Sequence, residues 1–178
     1  MRLAIAESLR SSPYHGADLL PIYADGLARK DDPEVRLHAA VLLRLLGNEA
    51  AVAAPVLVES LGDSDEYVRA EIVKALLAIG KAAYPALLDS LKKSDAAVRQ
   101  SALQLLLEQK YNDKAGVPEL IDALKDMSAY VRARAAALLG AIGPDAKAAV
   151  APLEDLCRDS DAQVRQAAIS ALKRIKGQ

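Results

Sequence analysis

One short segment recurs five times along this chain and constrains its fold more than any other feature. Each copy contains a Val-Arg pair, followed by a stretch rich in Ala and Leu that most often ends in Gly. The Val-Arg pairs begin at residues 35, 68, 98, 131 and 164, so successive copies are 33, 30, 33 and 33 residues apart. A fixed period of this length predicts a stacked repeat array, because one repeat cannot bury its apolar face alone.

Each copy predicts a helix, which we call helix B. Three residues before each Val stands a side chain that can cap a helix N-terminus, in turn Asp32, Asp65, Asp95, Ser128 and Asp161. The Val and the residues 4, 7, 8 and 11 further on form an apolar stripe, which in the second copy is Val68, Ile72, Ala75, Leu76 and Ile79. Gly47, Gly80 and Gly143 mark helix ends.

A first helix, A, is predicted before each helix B. Its five versions each contain one proline at a matching place, Pro21, Pro55, Pro85, Pro118 and Pro152, which either begins or bends the helix. We therefore predict a single domain, 1–178, that opens on the second helix of a truncated repeat, 1–12. The repeats that follow are 13–47, 48–80, 81–110, 111–143 and 144–178. In the third copy Gln109 and Lys110 replace the apolar-Gly exit, so we expect a local irregularity or hinge there.

The composition of the chain argues against some classes of function. The chain has 178 residues, 52% of them hydrophobic, but no Trp or Phe, which suits a thin core of closely spaced helices. Its net charge of −1 argues against nucleic-acid binding, because such proteins usually have a basic excess. The apolar run near Met1 is too short and interrupted for a signal peptide, and no stretch approaches a membrane span. We expect a cytoplasmic protein without a membrane partner.

The repeated pattern, Leu-x-Asp-x-Asp-x-x-Val-Arg-x-x-Ala-x-x-Ala-Leu-x-x-Ile-Gly with proline in helix A, resembles the short HEAT-like repeats first named from phycobilisome lyases. The resemblance covers essentially the whole chain. It implies an all-α, right-handed α-solenoid of about five and a half helix pairs, with the A helices on the convex face and the B helices lining the concave face.

The resemblance also implies a polar ladder between neighbouring repeats, built from an Asp six residues before each Arg. Asp63 and Arg69, Asp126 and Arg132, and Asp159 and Arg165 have this spacing. Lys30 and Lys93 stand in place of that Asp before Arg36 and Arg99, so we expect the ladder to be interrupted in those copies.

Some proteins with this fold are enzymes, and each of their chemistries can be compared with the sequence. Di-iron hydroxylases use His-Glu pairs, but His15 and His38 are each followed by a non-acidic residue. DNA glycosylases need a basic, aromatic surface, and bilin lyases need a tetrapyrrole site that nothing here marks. Cys157 takes the place of Leu61, Leu91 and Leu124, so we interpret it as a small buried hydrophobe. We predict no catalytic residue, metal or cofactor.

The outward side of helix B is the remaining candidate site. Positions 2, 3, 6, 9 and 10 after each Val point away from the core at 100° per residue. In the first copy Leu37, Val41 and Leu45 form an apolar line, which either is a contact site or is covered by an upstream repeat. The candidate partner-binding residues are Leu37, His38, Val41, Arg44, Leu45, Glu71, Lys74, Leu77, Gln104, Glu108 and Arg134, with Tyr67 and Tyr130 at the rim.

These observations predict a non-enzymatic scaffold that binds another protein or a peptide along the concave face. The alternative is a HEAT-like domain of, or associated with, an enzyme such as a lyase or DNA glycosylase relative, whose catalytic residues are not recognisable here. We expect a protein that is mainly monomeric, with a possible dimer through the uncapped N-terminal helix.

Overall fold

The computed structural model describes residues 19–93 and 95–177, and within these ranges all regular secondary structure is helical. The chain divides into two compact units, residues 1–86 and 87–178. The predicted helix at 1–12 lies outside the described residues, and with it the dimer through the N-terminal helix.

Unit 1 contains two complete pairs of A and B helices. The A helices are α1 (Leu20–Leu27) and α3 (Ala54–Glu59), and the B helices are α2 (Pro33–Leu46) and α4 (Glu66–Ile79). Helix α2 packs against α1 and α4, and α3 packs against α4. The connections are 3-10 segments at Gly47–Ala53, Ser60–Gly62 and Gly80–Ala83, and α5 (Tyr84–Asp89) begins just before the unit boundary.

Unit 2 continues with the same alternation. Its B helices are α6 (Ala96–Glu108), α8 (Ala129–Ile142) and α10 (Ala162–Lys176), and its A helices are α7 (Val117–Ala123) and α9 (Val150–Leu156). Segments of 3-10 helix lie at Ser90–Lys92, Lys114–Gly116 and Gly143–Ala149. Helix α8 packs against α6, α7 and α10, and α9 packs against α10. The predicted all-α repeat solenoid is therefore confirmed.

Most predicted helix starts are confirmed. The Asp32, Asp65, Asp95 and Asp161 side chains accept hydrogen bonds from backbone N–H groups of the first turn of their helices. The prediction for Ser128 is wrong, because its side chain makes no capping bond. The Ser128 hydroxyl instead lies 3.3 Å from the Gln100 amide nitrogen, from which it accepts a hydrogen bond.

The predicted apolar stripe lies in the core. All five stripe residues of α4 are buried, with exposed fractions of 0–3%.

The prolines of the A helices stand at helix starts. Proline is the second residue of α1, α3, α5 and α7 and the third of α9. Each proline thus stands where the α-helical part of helix A begins, a position at which its missing N–H costs little. The prolines begin these helices.

The exit from the third copy is irregular in a specific way. Lys110 has a φ of +54°, and the glycines at the other exits, Gly47, Gly80 and Gly143, also have a positive φ, of +56°, +69° and +72°. The Tyr111 N–H donates to the Leu106 carbonyl and the Lys110 N–H to the Leu107 carbonyl, which together form a Schellman motif. Tyr111 is only 2% exposed. The polar stretch therefore contains a buried anchor, and its suggested role as a hinge stays a prediction.

One stretch differs from the sequence-based expectation about membranes. Pro33–Gly62 is long and apolar enough to cross a membrane by length and composition. It is not one straight helix, because Gly47 with its positive φ separates α2 from the segments that follow. Leu43 and Leu57, for example, are fully buried. Core helices of soluble proteins pass the same test, so the stretch is weak evidence for a membrane span.

Candidate protein-binding faces of the B helices

The Arg that follows the Val in each repeat has a structural role. Arg36, Arg99 and Arg132 each bind a carboxylate 27 residues further on, through both Nε and Nη2, at 2.6–3.1 Å. Their partners are Asp63, Asp126 and Asp159 respectively. Nη1 of each Arg donates to a backbone carbonyl five to seven residues before it. These arginines therefore join neighbouring repeats.

This register corrects the predicted interruption of the ladder. Because Arg36 and Arg99 bind the Asp of the following copy, Lys30 and Lys93 do not remove their partners. Within its own copy the Arg needs only a backbone carbonyl at that position, which any residue supplies. Arg69 likewise donates to the Asp63 carbonyl. The expectation of a broken ladder at the first and third copies was wrong.

The ladder predicts a specific loss of stability in acid. Burial raises the pKa of Asp126, but the hydrogen bonds from Arg99 and the Ser128 N–H outweigh it, and the pKa is lowered. The pKa of Asp63 is lowered in the same way, by the hydrogen bonds from Arg36 and the Asp65 N–H. The pKa of Asp159 is also lowered, and there the hydrogen bond from Arg132 is the largest cause. A carboxylate with a lowered pKa stabilises the fold above its unfolded pKa of about 3.9, and this contribution is lost as pH falls through the folded pKa.

We therefore expect the melting temperature to fall steeply below about pH 4. Asp126→Asn should flatten this dependence, because one of the three titrating carboxylates is gone. Melting curves by circular dichroism between pH 7 and pH 2 measure both slopes. An Asp126→Asn variant with an unchanged slope below pH 4 would contradict the lowered pKa.

The outward positions of α2 and α4 form the B-helix face of unit 1. Leu37, Val41 and Leu45 are each half-buried and follow one another at one-turn intervals on α2. His38 beside them is exposed, and its Nδ1 lies 2.7 Å from the Glu34 carbonyl oxygen. Leu77 on α4 is 39% exposed. The predicted apolar line is therefore accessible in part.

The charged residues of this face are paired with one another. Glu71 accepts a hydrogen bond from Arg44 at 2.8 Å, across α2 and α4, and another from Lys74 at 2.7 Å. Burial raises the pKa of Glu71, but the two cations outweigh it, so the pKa is lowered and the carboxylate is charged at neutral pH. The face consequently presents apolar side chains beside charges that are already ion-paired.

Tyr67, which was predicted to lie at the rim of the face, is 68% exposed.

The outward positions of α6, α8 and α10 form the B-helix face of unit 2, which has a different character. Three predicted residues are linked there: the Tyr130 hydroxyl lies 3.1 Å from Gln104 Oε1, and Gln104 Nε2 donates to Glu108 at 2.9 Å. The Arg134 guanidinium stacks over the Tyr130 ring at 4.8 Å from its centroid. The structure thus brings these four candidate residues together.

Sequence reasoning missed a cleft on this face. A cavity of about 120 Å³ between α8 and α10 is lined by small residues and one cation, namely Ala137, Gly140, Ala167, Ser170, Ala171 and Arg174. The sequence signal for this cleft was a run of small outward residues on α8, which the helical period alone does not distinguish from ordinary helix packing.

A larger groove of about 360 Å³ lies in unit 1, between α1 and α3. Its lining has only apolar side chains and specifies no ligand chemistry.

Two of the residues considered for catalysis, His38 and Cys157, lie within the described part of the chain. Among residues 19–93 and 95–177, no group of three or more His, Cys, Asp or Glu is placed to hold a metal ion. Cys157 is half-buried rather than buried like Leu61 and Leu124, and its Sγ lies 3.4 Å from the Leu153 carbonyl oxygen. His15 lies outside the described residues.

A family model described as HEAT repeats matches residues 20–107 and 112–178, which is most of the chain. The chain belongs to the HEAT-repeat family. The match spans all five helix pairs, so the resemblance inferred from the Val-Arg pattern is confirmed. No curated protein sequence matches the chain significantly.

Solved structures agree with this HEAT-repeat fold. An engineered protein is 24% identical, with a TM-score of 0.59 over 99% of this chain and 89% of its own. The complex of CpcE and CpcF of phycocyanin lyase from Nostoc sp. is 24% identical, with a TM-score of 0.57 over 89% of this chain and 65% of that one. A designed armadillo repeat protein in complex with the peptide (KR)4 is 19% identical, with a TM-score of 0.53 over 98% and 91%.

Proposed function

We propose that this HEAT-repeat protein is a non-enzymatic scaffold that binds another protein or a peptide through its B-helix faces. The observation that carries the proposal is the face of unit 1, where Leu37, Val41 and Leu45 keep part of their surface exposed beside charges that are already paired. Because Arg44 and Lys74 are already paired with Glu71, the strongest interaction left to this face is the burial of apolar surface. A partner with an apolar ridge would bury this surface.

Repeat proteins of this fold class provide support by analogy. The designed armadillo repeat protein with a similar fold was solved with a peptide bound. A second candidate, a domain associated with a lyase, is favoured by the similarity to the complex of CpcE and CpcF. The two proposals predict different behaviour of the purified chain. A scaffold should bind peptides by itself, whereas a lyase-associated domain need not.

The test is selection of random dodecapeptides displayed on phage, followed by anisotropy measurements with the enriched peptides. Leu37→Ser combined with Val41→Ser should weaken binding of apolar peptides about tenfold, which corresponds to a joint loss of about 1.4 kcal/mol of apolar contact. The melting temperature should fall by only a few degrees, since both side chains keep part of their surface exposed.

A matched control is Ile22→Ser with Val52→Ser, which removes apolar side chains that are 62% and 75% exposed on α1 and in the Gly47–Ala53 segment. This pair should leave peptide binding unchanged. If the Leu37 and Val41 variant instead melts at a much lower temperature, these residues belong to the core and the proposal fails. Enrichment of no peptide at all would favour the lyase-associated alternative.

A further inference from the structure

The B-helix face of unit 2 contains cations that the described part of the chain does not neutralise. Neither Arg134, Lys173 nor Arg174 has a carboxylate within ion-pair distance in residues 19–93 and 95–177. Unit 1 contrasts with this, because Arg44 and Lys74 on its face both bind Glu71. Glu108 is the one acidic residue at the outward positions of α6, α8 and α10, and it accepts a hydrogen bond from Gln104.

Arg134 and Arg174 stand on the helices that form the cleft, α8 and α10. Arg174 lines the cleft itself, and Arg134 stands on α8 one turn before Ala137, another lining residue. The Arg134 side chain is held in place by the Tyr130 ring, which is itself fixed through its hydroxyl to Gln104. Stacking on a ring leaves the guanidinium N–H groups available in the plane of the fork. Arg134 is therefore oriented without being neutralised.

The floor of the cleft is formed by small side chains. A Cβ on Gly140 would lie 2.8 Å from the Ala171 Cα, so close packing of α8 and α10 requires glycine at that position. Ala137, Ala167 and Ser170 are half-buried and retain accessible surface beside it. A narrow floor of this kind lets a polypeptide main chain approach the helices closely. It leaves no room for a bulky side chain pointing inward.

We infer that this cleft binds an extended acidic peptide segment, with carboxylate side chains placed on Arg134 and Arg174. Guanidinium groups bind carboxylates through two parallel hydrogen bonds, so charge and geometry both favour Glu or Asp. The two arginines occupy outward positions 3 and 10 of their helices, which puts them roughly 10 Å apart along the helix axes. An extended chain covers that distance in about three to four residues, which sets the spacing of the two acidic residues.

This inference rests on the proposed function, since it names the partner chemistry of the second B-helix face. It assigns different chemistry to the two units: apolar side chains bind unit 1, and paired acidic side chains bind unit 2. Salt should weaken the unit 2 contact far more than the unit 1 contact, because exposed charges are screened and apolar burial is not.

The same dodecapeptide library tests it. Peptides enriched on the wild-type chain should include a class with two acidic residues three to four positions apart. The double variant Arg134→Gln with Arg174→Gln should lose that class and bind one such peptide about tenfold more weakly by anisotropy. Replacing both acidic residues of the peptide by Gln should weaken wild-type binding equally, and should have little further effect on the double variant.

Lys147→Gln is the matched control, because it removes one exposed positive charge from the Gly143–Ala149 segment, outside the residues that line the cleft. It should leave acidic-peptide binding within about twofold of wild type. Equal loss in Lys147→Gln would mean that only net charge matters, and the inference would be overturned. Apolar peptides that depend on Leu37 and Val41, with no acidic class, would overturn this inference and leave the proposed function standing. Enrichment of no peptide would overturn both.

Discussion

Replacing Tyr111 with alanine is expected to lower the free energy of unfolding by about 3–5 kcal/mol, the range for removing a large aromatic side chain from a core. Tyr111 is 2% exposed and follows directly on the positive-φ residue Lys110. Its hydroxyl lies against Gly116, where an added Cβ would come within 2.5 Å of it and within 2.9 Å of Leu88. The side chain therefore fills the space between the exit of α6 and the entry to α7.

Urea denaturation followed by far-ultraviolet circular dichroism measures this loss as a lower transition midpoint. Tyr111→Phe retains the ring and should therefore keep most of this stability. Tyr67→Ala is the matched exposed control, because Tyr67 is 68% exposed, and it should shift stability by no more than about 0.5 kcal/mol. A Tyr111→Ala variant as stable as Tyr67→Ala would mean that this residue anchors nothing.

Tyr111 also shows where sequence reasoning ended. Period and capping chemistry predicted the B helices and their buried stripes, because both depend on residues close together in the chain. Tyr111 stands among Lys, Asn and Asp, and that polar composition favoured a local irregularity or hinge. The Schellman hydrogen bonds turn the chain back so that one side chain of this polar stretch becomes buried. Composition averages over a segment, whereas burial is decided residue by residue.

The two candidate faces were predictable to different degrees. The outward positions of helix B follow from 100° per residue, and the structure places Leu37, Val41 and Leu45 on one accessible line as that angle requires. Which charged side chains are paired with one another could not be predicted from the helical period. Glu71 binds Arg44 from a neighbouring helix, while Arg134 stacks on Tyr130, and both contacts depend on how two helices are aligned. That alignment sets which arginines remain for a partner.

The interruption predicted for the ladder failed for the same reason. The spacing within one copy suggested that Asp126 belongs with Arg132, six residues later. In the structure, Asp126 binds Arg99 of the preceding copy, and Arg132 reaches forward to Asp159. A contact that recurs with the repeat leaves the same spacing in the sequence whether it joins residues within a repeat or between repeats. Only the packing of the helices distinguishes the two.

Asp126→Ala is therefore expected to cost about 3 kcal/mol, because it removes more than one interaction. The carboxylate accepts two hydrogen bonds from Arg99 and one from the Ser128 N–H at 2.8 Å. The Arg99 and Asp126 side chains are only 13% and 10% exposed, so the remaining guanidinium would be left poorly solvated. The double variant with Arg99→Met should lose less than the sum of the two single changes, by about 1–3 kcal/mol of coupling.

The ion pair of Lys176 and Glu154 in the same unit is the matched control. Its N–O distance is also 2.8 Å, but the side chains are 40% and 54% exposed, and exposed pairs contribute about 0–1 kcal/mol. Glu154→Ala should accordingly have a small effect in the same urea titration. If Asp126→Ala and Glu154→Ala lower the transition midpoint equally, distance alone would determine the strength of these pairs. A larger loss for Asp126→Ala would show that burial and the added backbone hydrogen bond make the ladder a joint between repeats.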